Sequence, residues 1–343
     1  MQTQIGALAY LHIVNEQGGL YGRKINVSSF DDGYSPDQTS TCFNRLLKQD
    51  VFAMGLFVGT PTAAKYVPMA EAAKIPVVGL FTGAQLLYEP FKHYIVNVRA
   101  SYFDETRDQV DNLWQARGIR RIGVIYQDDA FGTAVLEGVQ NALSGHQAKP
   151  VALGTFARNT LNVQQGMKTV RAANPEAVIL VGPYAPVAAM LKQAHADGWL
   201  PLFLTLSFVG TEALIHIAGS DAEGMIITQV VPPYDRSALP TVELYLDALN
   251  KYMGGTEPNF VSLEGFVDAM VIVEGLKRAG ANLTREKFIS GIESIHDENV
   301  GLGPTFLLDY GPNRHSGFDS VYATVVRNGH AVAITDWKSL PTQ

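Results

Sequence analysis

Residues 121–197 read RIGVIYQDDAFGTAVLEGVQNALSGHQAKPVALGTFARNTLNVQQGMKTVRAANPEAVILVGPYAPVAAMLKQAHAD, and the hydrophobic period in this stretch switches repeatedly. Arg121–Tyr126, Pro150–Phe156 and Ala177–Val181 are short apolar runs, which predict buried strands. Between and after them, Phe131–Ser144, Val163–Ala173 and Pro186–Asp197 place apolar residues at helical spacing. Apolar strands alternating with helices mean a parallel sheet covered on both faces, so the stretch decides for an α/β, doubly wound architecture.

Working outward, the same order runs toward the N-terminus. Ile5, Leu8, Ala9, Leu11, His12 and Val14 fall near helical spacing and Gly18-Gly19 follow as a stop, so Met1–Gln17 reads as a helix. A strand over Lys24–Phe30 leads into the Asp31-Asp32-Gly33 turn, and Ser35-Pro36 opens a helix to about Lys48. Strand Val51–Phe57, helix Thr62–Ala73, strand Pro76–Phe81 and helix Tyr102–Ala116 complete the first half. The alternation breaks at Val230–Pro240, VVPPYDRSALP, a proline-rich and polar stretch that reads as a domain crossing. Helices over Thr241–Tyr252, Val261–Ala279 and Arg285–Ile292 follow. Ser320–Thr335 reads as a hairpin turning at Asn328-Gly329. The halves echo one another: VFAMGLFVGTPTAA and AVILVGPYAPVAAM each run strand, proline-bearing turn, helix.

The chain has 343 residues, 47% hydrophobic and 17% charged, with 26 Lys+Arg against 33 Asp+Glu and a net charge of −7. This is globular composition of a length that fits two domains. The acidic balance, with no basic cluster, argues against nucleic-acid binding. The single cysteine, Cys42, excludes an intrachain disulfide and a cysteine-based zinc cluster, and it is expected to be a buried free thiol. No stretch approaches the apolar length of a membrane span, so direct membrane insertion is not expected. The N-terminal MQTQIGALAYLHIVNEQGG lacks the basic region and cleavage site of a secretory leader.

Catalytic and cofactor motifs are missing. There is no phosphate loop, no G-x-S-x-G elbow and no H-E-x-x-H, and Gly301-Leu302-Gly303 is followed by proline rather than a helix, so it is a turn. The 8 histidines do not pair at ligand spacing, and His12 and His195 read as solvated or packed. Asp128-Asp129, the best carboxylate pair, reads as a helix cap. No cofactor or metal is expected, and an enzyme reading has no residue set behind it.

Taken in order, NEQGGLYGRKINVSSFDDGYSPDQTSTCFNRLL, FVGTPTAA, IPVVGLFTGAQLL, NVRASYFDETR, IGVIYQDDAFGTAVLEGV, ANPEAVILVGPYAPVAAMLKQA and FVSLEGFVDAMVIVEGL resemble the type I periplasmic binding proteins. Within these they are similar to the branched-chain-amino-acid group of ABC-transporter substrate-binding proteins, over about residues 5–330. The resemblance implies two doubly wound lobes with a hinge of three crossings: 1–118 plus 234–318 as lobe one, and 119–233 plus 319–343 as lobe two. It implies a small organic solute, carboxylate, amide or amino-acid-like, held in the cleft and delivered to an ABC permease, in a periplasmic location and without catalysis.

Carried over residue by residue, the resemblance assigns lobe-one contacts to Gly59-Thr60-Pro61-Thr62 and to Phe81-Thr82-Gly83, where hydroxyls and free N–H groups suit an oxyanion. Thr60 and Thr82 read equally well as N-caps. Lobe two would contribute Phe131 and Tyr184, aromatics at strand exits that would cover the apolar part of the solute, with Tyr102 near the hinge. The acid that pairs with a ligand ammonium in amino-acid binders of this group aligns with Ser207. That departure argues against leucine-like ligands and for a carboxylate or amide without an α-ammonium, unless Asp129 or Glu264 supplies the charge. The group's cysteine pair is also missing. Its first strand and ligand loop precede the first helix, where this sequence starts, which implies either a chain trimmed from a longer secreted precursor, the expectation here, or a lobe completed in another way such as dimerisation. A cytoplasmic ligand sensor of the same fold acting on a protein partner is the alternative function. An α/β enzyme comes last.

Overall fold

A computed structural model describes residues 2–235 and 238–340. Two compact units form, Met1–Ala100 with Tyr234–Ser320 and Ser101–Pro233 with Val321–Gln343. In chain order, the first unit opens with α1 (Gln2–Glu16), α2 (Pro36–Lys48), β1 (Met54–Gly55), α3 (Thr60–Ala73), β2 (Val77–Val78) and β3 (Ile95–Val96). The second unit takes α4 (Tyr102–Gln115), β4 (Ile122–Gln127), α5 (Ala130–Gly145), β5 (Ala152–Phe156), α6 (Gln164–Ala172) and β6 (Ala177–Val181). It continues with α7 (Tyr184–Ala196), β7 (Leu202–Thr205), α8 (Thr211–Ala218) and β8 (Ile226–Gln229). The chain returns to the first unit for α9 (Pro240–Tyr252), α10 (Phe260–Ala279), α11 (Arg285–Glu293), β9 (Glu298–Asn299) and β10 (Leu307–Leu308), then closes the second with the hairpin β11 (Tyr322–Arg327) and β12 (His330–Ala333).

The second unit is built on a seven-stranded sheet in the order β12-β11-β8-β7-β6-β4-β5. The strands from β8 to β5 are parallel and β11 pairs antiparallel with both its neighbours. Every residue of β6, AVILV, is buried, as a central strand covered by helices on both faces requires. At the edge, β5 alternates between exposed and buried residues. Ile125, Val178, Leu180, Val187, Met190, Leu191, Phe203 and Ile227 share one apolar core with helix residues of the flanking layer. The hairpin turns where the sequence places it, with Asn328 at φ 52 and Gly329 at φ 74, the two positive values that a tight two-residue hairpin turn demands.

The boundary between the units corrects the sequence-based division. It falls after Ala100 rather than after residue 118, so α4 belongs to the second unit. The cause is α4's buried face. Gln109 donates from Nε2 to the Thr205 carbonyl at 2.7 Å and to Thr228 Oγ1 at 3.2 Å, and α4 packs closely on α5 at Gly138. The start of α4 is fixed by a reciprocal capping box, in which the Ser101 hydroxyl accepts from the Asp104 N–H and the Asp104 carboxylate accepts from the Ser101 N–H. The return crossing at Pro233/Tyr234 lies inside the proline-rich stretch, and the last follows Ser320.

The first unit has a three-stranded parallel sheet, β1-β2-β3, each strand two residues long. Around it lie two apolar clusters, one joining α2 and α3 to the sheet through Phe43, Tyr66, Ile75 and Ile95, the other joining α1 to α10 through Ala7, Leu11, Ala269 and Val273. The α1–α10 contact is backbone-close at Gly6, where a Cβ would fall 1.6 Å from the Ser262 carbonyl oxygen, so only glycine permits this spacing. Cys42 is a buried free thiol.

The expected strand Lys24–Phe30 does not form. The segment is held at its backbone near its start, where Ile25 N–H donates to Asn15 Oδ1 at 2.7 Å and Asn15 Nδ2 donates to the Ile25 carbonyl at 2.8 Å, and by side chains further along, where the Ser28 hydroxyl donates to Gln49 Oε1 at 2.7 Å and the Arg45 guanidinium lies 3.9 Å from the Phe30 ring centre. A run of β-branched residues becomes a strand only with a ladder partner. Here β1 directs its hydrogen bonds to the β2 side, Met54 N–H to the Pro76 carbonyl at 2.8 Å and Leu56 N–H to the Val78 carbonyl at 3.2 Å. Between β1 and the segment lies a groove of about 400 Å³, lined mainly by apolar side chains including Leu11, Ile25, Val27, Phe52 and Ile272.

Candidate functional site

Ligands of open α/β sheets sit beyond the carboxyl ends of the strands, where turns lead into helix N-termini. Each unit places a distinct group of side chains there.

In the first unit the turn after β1 enters α3 through Gly59, and the turn after β2 holds Phe81-Thr82-Gly83. Gly59 has φ 96, and a Cβ there would overlap the Tyr34 ring at 2.0 Å, which is why the chain can bend so close to that ring. The two threonines do not act as caps: Gly59 is the residue at the N-cap, with no side-chain bond to the helix end. Instead Thr60 Oγ1 and Thr82 Oγ1 hydrogen-bond each other at 2.7 Å, both fully buried. Thr62 donates to the Gly59 carbonyl at 2.7 Å and stiffens the same turn. Phe81 and Gly83 are buried beside them.

Beneath this turn pair lies a buried charged layer. The Arg99 guanidinium is 5.1 Å from the centre of the Phe81 ring and its Nη1 lies 3.3 Å from Glu264 Oε1. Asp268, one helical turn after Glu264, has its carboxyl held well above the ordinary carboxylate range, chiefly by burial and then by the Glu264 charge, with Arg99 opposing. Glu264 therefore already answers an arginine and is not the spare acid that the sequence reading considered.

In the second unit, Tyr102 at the start of α4, Phe131 at the start of α5 and Phe208 after β7 form a buried aromatic group. The ring centroids are 5.6 Å apart for Tyr102 and Phe131 and 4.4 Å for Phe131 and Phe208. Phe131 is positioned by the cap preceding it. Asp129 Oδ1 accepts from the Phe131 and Gly132 N–H groups at 2.9 and 3.2 Å, and Arg158 Nε lies 3.6 Å from Asp129 Oδ2. Asp129 is thus a capping residue, as read from the sequence, and not a free charge. Tyr184 stands at the N-terminus of α7, 43% exposed and alongside Gly210, apart from the aromatic trio.

Ser207 is buried after β7, and the structure brings it a residue that the sequence reading did not single out. Glu105 Oε2 accepts from the Ser207 N–H at 2.9 Å and Oε1 from the Ser207 hydroxyl at 2.9 Å, while Thr228 Oγ1 donates to Oε2 at 2.7 Å. Glu105 is fully buried on α4, three residues after Tyr102 and on the same face. Its meeting with Ser207 spans 102 positions, so no local motif could reveal it. The one available signal is an acid one turn into a helix whose other residues at that spacing, Tyr102 and Gln109, turn inward.

Of the lone histidines, His12 is exposed and stacks on Tyr252 with centroids 5.3 Å apart, and His195 is bonded to Asp221 at 2.7 Å. Among the described residues there is no cluster of three or more His, Cys, Asp or Glu able to hold a metal, and no helix is long and apolar enough to cross a membrane.

With this geometry in place, comparison with known proteins decides the family: the profile described as periplasmic binding protein matches residues 1–331. The chain belongs to that family. Within it, the chain falls with the type I, branched-chain-amino-acid group. It is 22% identical to the leucine-specific-binding protein of Salmonella typhimurium over 65% of this chain and 60% of that protein, so the match spans less than two thirds of the relative. A solved structure of a possible leucine/isoleucine/valine-binding protein from Rhodopirellula baltica is 33% identical, covering 99% of this chain and 92% of the other with a TM-score of 0.94. A substrate-binding periplasmic protein from Ralstonia solanacearum is 28% identical, covering 97% and 95% with a TM-score of 0.89. The similarity supports the mixed α/β, two-lobed fold derived from the sequence, and a solute-binding role.

Proposed function

We propose that this periplasmic binding protein captures a small organic solute, taking contacts from both units, and hands it to an ABC permease in a periplasmic or extracellular setting. Thr60, Phe81, Thr82 and Gly83 form the half-site of the first unit, and Tyr102, Phe131, Tyr184 and Ser207 that of the second. The observation that carries the reading is the buried Thr60–Thr82 hydroxyl pair at 2.7 Å, set at the carboxyl ends of parallel strands beside a helix N-terminus. Each hydroxyl keeps acceptor or donor capacity beyond that one bond, and neighbouring helix N–H groups favour a carboxylate or another oxyanion. Aromatic rings in the second unit supply apolar cover for the remainder of the solute.

The mechanism is a population shift. A solute that touches both units only when they close has differential affinity for the closed form, and that difference drives closure and signals loading to the permease. No bond of the solute is made or broken. A thermal-shift screen of the full chain against amino acids, amides and aliphatic and aromatic carboxylates tests this, because a solute that binds only the folded chain raises its melting temperature. A saturable rise for one class is expected. A chain that responds to none of them refutes the proposal.

A further inference from the structure

The half-site of the first unit stands on a layer in which two carboxyl groups face one guanidinium. Glu264 and Asp268 lie one turn apart on α10, both buried. Arg99 answers the first, with Nη1 3.3 Å from Glu264 Oε1. Asp268 has a different setting: among the described residues its buried Oδ2 has no hydrogen-bond partner. Its side chain is pressed against the backbone of Gly79, where an added Cβ would lie 2.6 Å from Asp268 Cβ and Cγ.

The elements packed around α10 bring tyrosines and apolar side chains to this layer. After β10, Tyr310 is buried and its hydroxyl donates to the Asn97 carbonyl at 3.0 Å, while Tyr88, before β3, donates to the Arg99 carbonyl at 3.0 Å. Arg314, which acts on Tyr310, is bound to Asp309 near the surface. From α1 come Ala7 and Leu11, with Tyr10 facing Glu274 further along α10. From α11 come Phe288 and Ile292, and from α9 comes Tyr245, whose hydroxyl pairs with that of Ser262. An ionised carboxylate without water or a hydrogen-bond donor is costly, and two buried acids beside one cation are most stable when one of them keeps its proton. Asp268 is the acid with the unpartnered oxygen.

This bears on the turns above. Gly79 precedes Thr82 by three residues, at most about 11 Å of chain, and the Arg99 guanidinium is 5.1 Å from the centre of the Phe81 ring in the same stretch. A negative charge on Asp268 would act against an oxyanion at the Thr60 and Thr82 hydroxyls. A neutral carboxyl leaves that position to the hydroxyls and the helix N–H groups.

We infer that Asp268 is an electrostatic determinant of the first unit's half-site, held as the neutral acid so that the strand-end turns stay receptive to a carboxylate or other oxyanion. The inference rests on the solute-binding reading above and names what sustains its preference for an anionic group.

The test uses the full chain and two readouts. Infrared difference spectra between the wild type and Asp268→Asn read the proton directly, and a protonated-carboxyl band at neutral pH that the variant lacks is expected. Calorimetry then follows the carboxylate-bearing solute that most raises the melting temperature in the screen, in both proteins, over the pH range in which both stay folded. The ratio of the two affinities cancels titration of the solute and of groups common to both. It should stay constant wherever the band is present. Where raising the pH removes the band, the ratio should move about tenfold against the wild type, the effect of one charge over about 10 Å at an effective dielectric of about 20. Asp268→Leu, also neutral and of similar size, replaces the amide if that variant does not fold.

The lack of such a band at neutral pH overturns the inference. So does a ratio that shifts while the band persists, a ratio that holds after the band is lost, or a screen in which only solutes without an anionic group bind. These results leave solute binding standing. A chain that binds no solute of the screen overturns the solute-binding reading and this inference with it, whatever the infrared spectra show.

Discussion

Replacing Asp108 by asparagine should make the second unit more stable at neutral pH, and the gain should vanish in acid. Asp108 lies on α4 with Oδ2 buried and without a hydrogen-bond partner, while Oδ1 accepts from Asn112 Nδ2 at 3.1 Å. Burial, and next the neighbouring Asp111 charge, push its carboxyl up from 3.8 to about 6, with the Asn112 bond opposing. Between these values the folded chain holds a proton that the unfolded chain has released. Stability therefore falls as pH rises through about 4 to 6, and the loss persists above that window. Roughly two pKa units correspond to about 3 kcal/mol in all, of which about 2 kcal/mol falls between pH ~4.5 and pH ~7.5, less whatever solvent screening removes. Asparagine keeps the Oδ1 acceptor and has no proton to lose. Asp111 and His146, 2.6 Å apart, are present in both proteins and cancel in the difference.

The assay is urea unfolding followed by tryptophan fluorescence. All 3 tryptophans, Trp114, Trp199 and Trp337, lie in the second unit, so the signal reports that unit. The variant should exceed the wild type by about 2 kcal/mol more at pH ~7.5 than at pH ~4.5. A difference that stays flat across this range, or a variant less stable at the higher pH, refutes the reasoning.

Two further outcomes follow from the same contacts. Thr82→Val removes the hydroxyl that pairs with Thr60 at 2.7 Å while conserving shape, and should weaken binding of the best solute of the screen about tenfold by calorimetry. Because the Thr60 hydroxyl then stays buried without that partner, the melting temperature of the unliganded chain should also fall by a few degrees. Asp129→Ala deletes the cap that accepts from the Phe131 and Gly132 N–H groups, and should cost about 1 kcal/mol in the tryptophan-monitored unfolding.

What could be read from the sequence tracks the length of each element. Ala177–Val181 and its parallel neighbours announced themselves because strands buried on both faces need uninterrupted apolar runs, and the chain supplies them. The strands of the first unit are only two residues long, so Val51–Phe57 and Pro76–Phe81 overstate them, and Lys24–Phe30 has strand composition without a ladder partner. The placing of α4 was missed because Gln109 finds its acceptors on β7 and β8, about 100 residues further along the chain. At the candidate site, the strand-end turns were legible from glycine, proline and threonine spacing. Whether Thr60 and Thr82 cap helices or meet each other depends on a contact across 22 positions. Glu105 was missed for the same reason, since the residues it meets, Ser207 and Thr228, lie 102 and 123 positions away.

The central claim, reversible capture of a small organic solute without chemistry, is tested most directly by equilibrium dialysis of the full chain against the solute that most raises its melting temperature in the screen, with the solute identified by mass spectrometry after release. The account predicts saturable binding at one molecule per chain, with the solute recovered unchanged. A solute returned as a new compound, or no saturable retention, would contradict it.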